Sequence, residues 1–179
     1  NFKKINGLFK VFGDSHDAAE TRLKTQAELQ FIISDQVLDL GLGLDYLKGE
    51  FKSGFRNEFD NLLVGINPSY FYESDFFQLR AGVKLNYLNE AKKEAKFLIA
   101  PNVKFTYQLV EGYLSSYAEV TGGVSLNSYE NISDKNPYVA PNLILTPTST
   151  PYDATLGLRG LITESIGFGL FTSYMSQKN

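Results

Sequence analysis

The side chains of this 179-residue chain that could do chemistry are charged groups set at every second position between apolar residues. Such spacing places them on one face of a β-strand, because successive side chains of a strand point to opposite faces. Rows of charge that line a pore set its ion selectivity. The candidates for this role are Arg22, Lys24, Glu28, Asp39, Arg80, Lys84, Lys104, Glu119 and Arg159, with Asp45 and Asp153 at equivalent positions.

A structural interpretation of the same charges stays open. Narrow barrels fill their interiors with side chains that pair with one another, and charges removed from water must be paired. Strand number separates the two interpretations, since about eight strands leave little lumen whereas sixteen or more leave a channel.

The other reactive residue types offer little. The chain has no cysteine and a single histidine, His16, which stands between Asp14 and Asp17. A surface metal clip could be built there, but a solvated loop is the expected structure, and no nucleophile elbow accompanies the histidine. We therefore expect no enzymatic activity, no metal and no cofactor. The net charge of -3 and the pI near 5.2 argue against a nucleic-acid partner.

The stretch 76–87 shows most clearly which elements must position the charges. Its apolar residues alternate with Gln78, Arg80, Gly82, Lys84 and Asn86. A tilted strand of about ten residues can cross a bilayer. No apolar run is long enough for a spanning helix, so a membrane location would require strands.

The same two-residue period recurs along the chain. It predicts strands at 4–11, 21–34, 37–48, 62–72, 76–87, 97–109, 114–127, 152–162 and 166–176. Segment 21–34 contains good helix formers, yet its period of two favours a strand. In 114–127, Val124 and Leu126 are assigned to the apolar face. Pro68 and Pro101 interrupt two strands and predict β-bulges there.

The connections between these strands alternate between long and short, which is typical of outer-membrane barrels. We interpret the chain as one domain, 1–179, with about nine strands. Since single-chain bacterial barrels close with even numbers, the chain is either a fragment of a longer barrel or an eight-stranded barrel with one strand misjudged.

Segment 136–176 resembles the late barrel region of porin-like outer-membrane proteins of Bacteroidetes, related to TonB-dependent receptors. The resemblance lies in Asn136-Pro137-Tyr138, in a Thr-Pro segment, and in Tyr-Asp-Ala-Thr-Leu-Gly-Leu-Arg-Gly followed by a short hairpin. It implies an outer-membrane β-barrel with a role in transport or in a larger assembly. No segment resembles a TonB box or a plug domain, so the implied barrel is one without a plug.

The expected fold class is all-β, an antiparallel up-and-down transmembrane β-barrel in the outer membrane of a Gram-negative bacterium. The expected function is that of a porin-like passive channel for small solutes. A non-transporting structural subunit of an outer-membrane complex and a soluble lipocalin-like barrel that binds lipophiles are the alternatives. The expected partners are outer-membrane lipid and lipopolysaccharide, and other outer-membrane proteins through the loop from Ser128 to Pro151.

Overall fold

The computed structural model describes residues 2–13, 18–34, 36–51, 57–91, 93–136, 138, 145–163 and 165–178. These residues form one antiparallel sheet of nine strands, each paired with its neighbour in the chain. The strands are β1 (Phe2–Gly13), β2 (Ala18–Ile33), β3 (Gln36–Phe51), β4 (Asn57–Glu73), β5 (Phe77–Glu90), β6 (Lys96–Val110), β7 (Leu114–Ser125), β8 (Thr148–Thr163) and β9 (Ile166–Lys178), and a short helix, α1 (Tyr129–Lys135), lies between β7 and β8. The prediction of an all-β up-and-down fold is confirmed.

The strands run further than the sequence predicted. The predicted loop 49–61 is mostly strand, and only 52–56 separates β3 from β4. Connections 34–35, 74–76, 111–113 and 164–165 join strands at one end of the sheet, here called the turn end. Connections 14–17, 52–56, 91–95 and 126–147 join them at the opposite end, the loop end. Segment 21–33 is part of β2 despite its helix formers, because its apolar period matches a sheet, and Ser34 already lies in the turn.

The sheet is open. In the part of the chain that the structure describes, β1 and β9 are its two edges and do not pair with each other. Both edges run from the turn end to the loop end, so they are parallel to one another. Because adjacent strands of this sheet are antiparallel, the two edges could be joined in the same pattern only through an odd number of further strands.

The two faces of the sheet differ sharply. One face carries the apolar residues of each strand, and six of its central side chains are exposed: Leu42, Ile66, Val83, Val103, Val120 and Leu158. The other face carries the polar residues of each strand. On this face, side chains from strands that are separated by one intervening strand contact each other. Lys84 Nζ donates to Thr121 Oγ1 (2.9 Å) and Asn102 Nδ2 to Asn67 Oδ1 (2.9 Å). The sheet therefore curves toward the polar face, called the concave face below, and the apolar face is convex.

The predicted bulges at the two prolines are wrong. Strand register is unchanged through Pro68 and through Pro101. The ladder between β4 and β5 skips 67–68, and the ladder between β6 and β7 begins only at Asn102. Each proline, which has no N–H to donate, thus coincides with a gap in one ladder, and no extra residue is needed.

The assignment of Val124 and Leu126 to the apolar face is also wrong. The register between β7 and β8 shifts after Thr121, and Gly123 has a φ of +151°, which favours glycine. Beyond this irregularity both side chains turn to the concave face, where they pack against Leu47, Leu63 and Leu88.

Candidate functional site

The concave face is the candidate functional site, because the pairing register puts every charged candidate of the sequence on it. Lys24 lies opposite Asp45, Arg80 opposite Lys104, Lys104 opposite Glu119 and Thr121 opposite Asp153 in adjacent strands. Strand register places the remaining candidates on the same face: Arg22, Glu28, Asp39, Lys84 and Arg159. The structure brings them together in pairs and small clusters rather than in a single ring.

Near the loop end, Arg22 and Asp45 form a bidentate ion pair. Arg22 Nε donates to Asp45 Oδ1 (2.9 Å) and Arg22 Nη2 to Asp45 Oδ2 (2.6 Å). The two side chains are only 16% and 8% exposed. Two parallel charge-assisted hydrogen bonds fix both side chains, so this pair is a fixed part of the concave face.

Beside this pair, segment 126–136 folds over the loop end of the concave face. Leu126 joins the apolar cluster of Leu47, Leu63 and Leu88. Tyr129, at the first turn of α1, is buried against Ala18 and the Phe12 ring, at 6.2 Å between ring centroids. The concave face is therefore covered at this end by side chains from the connection between β7 and β8.

A carboxylate from β2 holds α1 in place. Glu20 accepts hydrogen bonds from the backbone N–H groups of Tyr129 (2.7 Å) and Glu130 (3.0 Å), which have no partner within the helix. Ser128 caps the same end by accepting from Asn131 N (3.3 Å), and Lys10 Nζ lies 2.6 Å from Glu130 Oε1. The helix is thus fastened to the two strands at the beginning of the sheet.

Toward the turn end, Asp39 is the centre of a polar cluster. Its Oδ1 accepts from Gln30 Nε2 (3.0 Å) and from Lys3 Nζ (3.2 Å). Its Oδ2 lies 3.2 Å from Arg80 Nη1, and the Arg80 guanidinium also stands over the Phe71 ring at 5.7 Å. A small cavity of about 130 Å³ opens among these side chains.

Two further cations in this half of the face, Lys84 and Arg159, donate hydrogen bonds to neutral oxygen atoms. Lys84 Nζ donates to Thr121 Oγ1 and to Gly122 O, both at 2.9 Å. Arg159 Nε donates to Ser115 Oγ (3.1 Å). A cavity of about 780 Å³ lies at the turn end, and Gln78, Thr106, Gln108, Ser115 and Arg159 contribute polar atoms to it.

Sequence reasoning missed the residues that close the loop end. The two-residue period predicts a strand only from residue 21 onward, so it leaves out Glu20. Leu47, Leu63 and Leu88 stand at positions that face the polar side, where apolar side chains are unexpected. A signal for α1 was present, since Ser128 is a strong N-cap type, Glu130 lies in the first turn and Lys135 in the last. The sequence signal for this cluster is an aliphatic residue on each of several consecutive strands, at a position whose side chain faces the polar side.

His16 and its neighbours Asp14 and Asp17 lie outside the described residues. Within the described ranges, no group of three or more His, Cys, Asp or Glu side chains is arranged to hold a metal ion. In the same ranges, no helix combines the length and the apolar character that crossing a membrane demands.

Comparison of the chain with protein-family models, with curated proteins and with solved structures found no match.

Proposed function

We propose that the chain forms part of the wall of an outer-membrane β-barrel whose concave face lines a passive channel for small solutes. The observation that carries this proposal is the distribution of side chains on the curved sheet. The convex face exposes apolar side chains on every strand between β3 and β8, whereas the concave face bears the charges. Monomeric soluble proteins rarely expose apolar patches of this extent, and hydrocarbon is the solvent that suits such a face.

The direction of curvature bears on the lipocalin-like alternative. A soluble lipophile-binding barrel needs its apolar face inside. Here the apolar face is convex, and the concave face holds the ion pairs Arg22–Asp45, Arg80–Asp39 and Lys104–Glu119. This arrangement supports a lipid-facing wall over a lipophile-binding interior.

Two adjacent residues of β3 test the assignment of the faces. Leu42 is on the convex face and 38% exposed, while Gly43 is on the concave face, where a Cβ would meet nothing within 4 Å. In lipid vesicles, we expect Leu42→Arg to cost about 2–4 kcal/mol of folding stability, the usual penalty for Arg at the lipid-facing midplane. Gly43→Arg, the matched control, should fold nearly as well as wild type.

The folded fraction of each variant is measured at increasing urea concentration. Folded protein is recognised on gels by its heat-modifiable mobility. If Leu42→Arg folds into vesicles as stably as Gly43→Arg, the convex face does not contact lipid and the membrane proposal fails. A soluble sheet would tolerate both substitutions, because both side chains would extend into water.

A channel also requires a closed wall. The parallel edges β1 and β9 require an odd number of further antiparallel strands, from the same polypeptide or from another. The full-length protein, purified in detergent and inserted into a planar bilayer, should show steady single-channel conductance. A protein that is folded by gel mobility but silent in the bilayer would contradict the channel.

The inward fold of segment 126–136 favours a second candidate, a non-transporting structural subunit. Ser128 and Tyr129 are buried against the sheet, so this segment narrows the space above the concave face at the loop end. Folded but silent protein is the result that this candidate predicts. A partner would then contact other residues of the loop from Ser128 to Pro151, since these two are covered.

A further inference from the structure

Two cations lie directly opposite one another on the concave face, an arrangement that costs stability. Arg80 of β5 and Lys104 of β6 are register partners, so their side chains leave the same face of adjacent strands. Like charges at directly opposed positions of a sheet repel. A purely structural wall gains nothing from this pair, which indicates a use for the positive potential that it creates.

The groups around the pair hold it in position without cancelling it. Asp39 lies 3.2 Å from Arg80 Nη1 on one side, and Glu119 Oε2 lies 3.5 Å from Lys104 Nζ on the other. Asp39 is shared, since Lys3 Nζ is also 3.2 Å from its Oδ1. Within these ion pairs three cations face two carboxylates, and a further carboxylate, Glu28, lines the small cavity beside Lys3, Asp39 and Arg80.

Both central cations remain accessible to solutes. The Arg80 side chain is 42% exposed and that of Lys104 is 55% exposed, and both point to the side of the sheet toward which it curves. Besides its ion pair with Asp39, the Arg80 guanidinium stacks over the Phe71 ring at 5.7 Å, which orients it. Lys84, further along β5, donates to the neutral Thr121 Oγ1 and Gly122 O, and Asp153 lines the same cavity.

We infer that Arg80 and Lys104 form an anion-selecting step on the concave face, which favours small inorganic anions and carboxylate or phosphate solutes over cations. The attraction is to charge rather than to a shape, because the two groups come from different strands. This inference rests on the proposed channel and adds the sign of its preferred solute.

The test is the reversal potential of the full-length protein in a planar bilayer under a KCl gradient. Wild type should prefer chloride over potassium. K104Q should shift the reversal potential toward potassium, and E119Q, which neutralises the partner of the same ion pair, should shift it toward chloride. Folding of each variant is checked by gel mobility.

The opposite shifts of two neighbouring neutral variants distinguish electrostatic selection from a general effect of mutation. Shifts in the same direction, no shift, or a wild-type preference for potassium would overturn the anion-selecting step while leaving the channel intact. Absence of conductance in the folded wild type would instead overturn the channel on which the step depends. A second neutral variant, R80Q, should repeat the shift of K104Q.

Discussion

The loop end and the turn end of the concave face are built on opposite principles. At the loop end, Leu47 is completely buried and an ion pair is almost fully covered. At the turn end, the charges stay in contact with solvent beside a cavity of about 780 Å³. The side chains of one face of the sheet thus form a packed core at one end and a solvent-exposed surface at the other.

The difference arises from what covers each end. Segment 126–136 brings Leu126 and Tyr129 onto the loop end, where they pack against apolar side chains of the concave face. The turn-end connections, 34–35, 74–76, 111–113 and 164–165, are too short to reach across the face. One long connection therefore covers one end and leaves the other exposed to solvent.

The largest expected effect comes from opening the packed end. Leu47→Ala should destabilise the protein by about 2–5 kcal/mol, since it removes buried methyl groups and leaves a cavity beside Leu63 and Leu88. Leu8→Ala is the control, because Leu8 is on the same face in β1 but 48% exposed. Urea unfolding of both variants in vesicles measures the difference.

Equal losses for these two variants would mean that the loop end is not packed as described, and the contrast between the two ends would disappear.

Sequence patterns predicted the strands better than they predicted this contrast. The two-residue period located all nine strands, including β2 with its helix formers, because burial of one face constrains every second residue along a strand. It could not show that Leu126 crosses to the concave face. That contact joins residues distant in sequence, and it depends on the irregular backbone at Gly123.

The candidate charges were assigned to the correct parity, but their grouping was not predictable. Asp39 is bonded by Lys3, from β1, and by Arg80, from β5. Neither strand adjoins β3, and only the curvature of the sheet brings these side chains within reach. Glu20 was missed for a related reason, since its partners are the N–H groups of a helix more than a hundred positions further along.

An effect of intermediate size is expected when the coupling energies of two ion pairs on the concave face are compared. In double-mutant cycles with Arg22→Gln and Asp45→Asn, the coupling energy should be about 1.5–3 kcal/mol, as for hydrogen bonds between charged groups that are largely covered. The same cycle with Lys104→Gln and Glu119→Gln should give about 0–1 kcal/mol, because that pair is 55% and 40% exposed and separated by 3.5 Å.

Raising the salt concentration should weaken the Lys104–Glu119 coupling first, since exposed charges are screened most. A Lys104–Glu119 coupling as large as that of Arg22–Asp45 would show that the turn end is as dry as the loop end, and would remove the basis for solute access there.

The smallest effect on stability is expected at the contact that fastens the cover. Glu20→Gln should cost about 0.5–2 kcal/mol, in the range of a lost helix cap. A neutral amide can present only one acceptor oxygen to the N–H groups of Tyr129 and Glu130. Helix α1 should then leave the sheet more often, and trypsin should cut faster after Lys135, at the end of α1.

Glu28→Gln provides the control, because Glu28 is a carboxylate on the same face of the same strand and borders the small cavity near Asp39 rather than α1. If Glu20→Gln is cleaved no faster than Glu28→Gln, Glu20 does not hold the cover. If cleavage is faster and conductance also rises, then segment 126–147 limits passage at the loop end. The closed end of the concave face would in that case act as a restriction that a single carboxylate keeps in place.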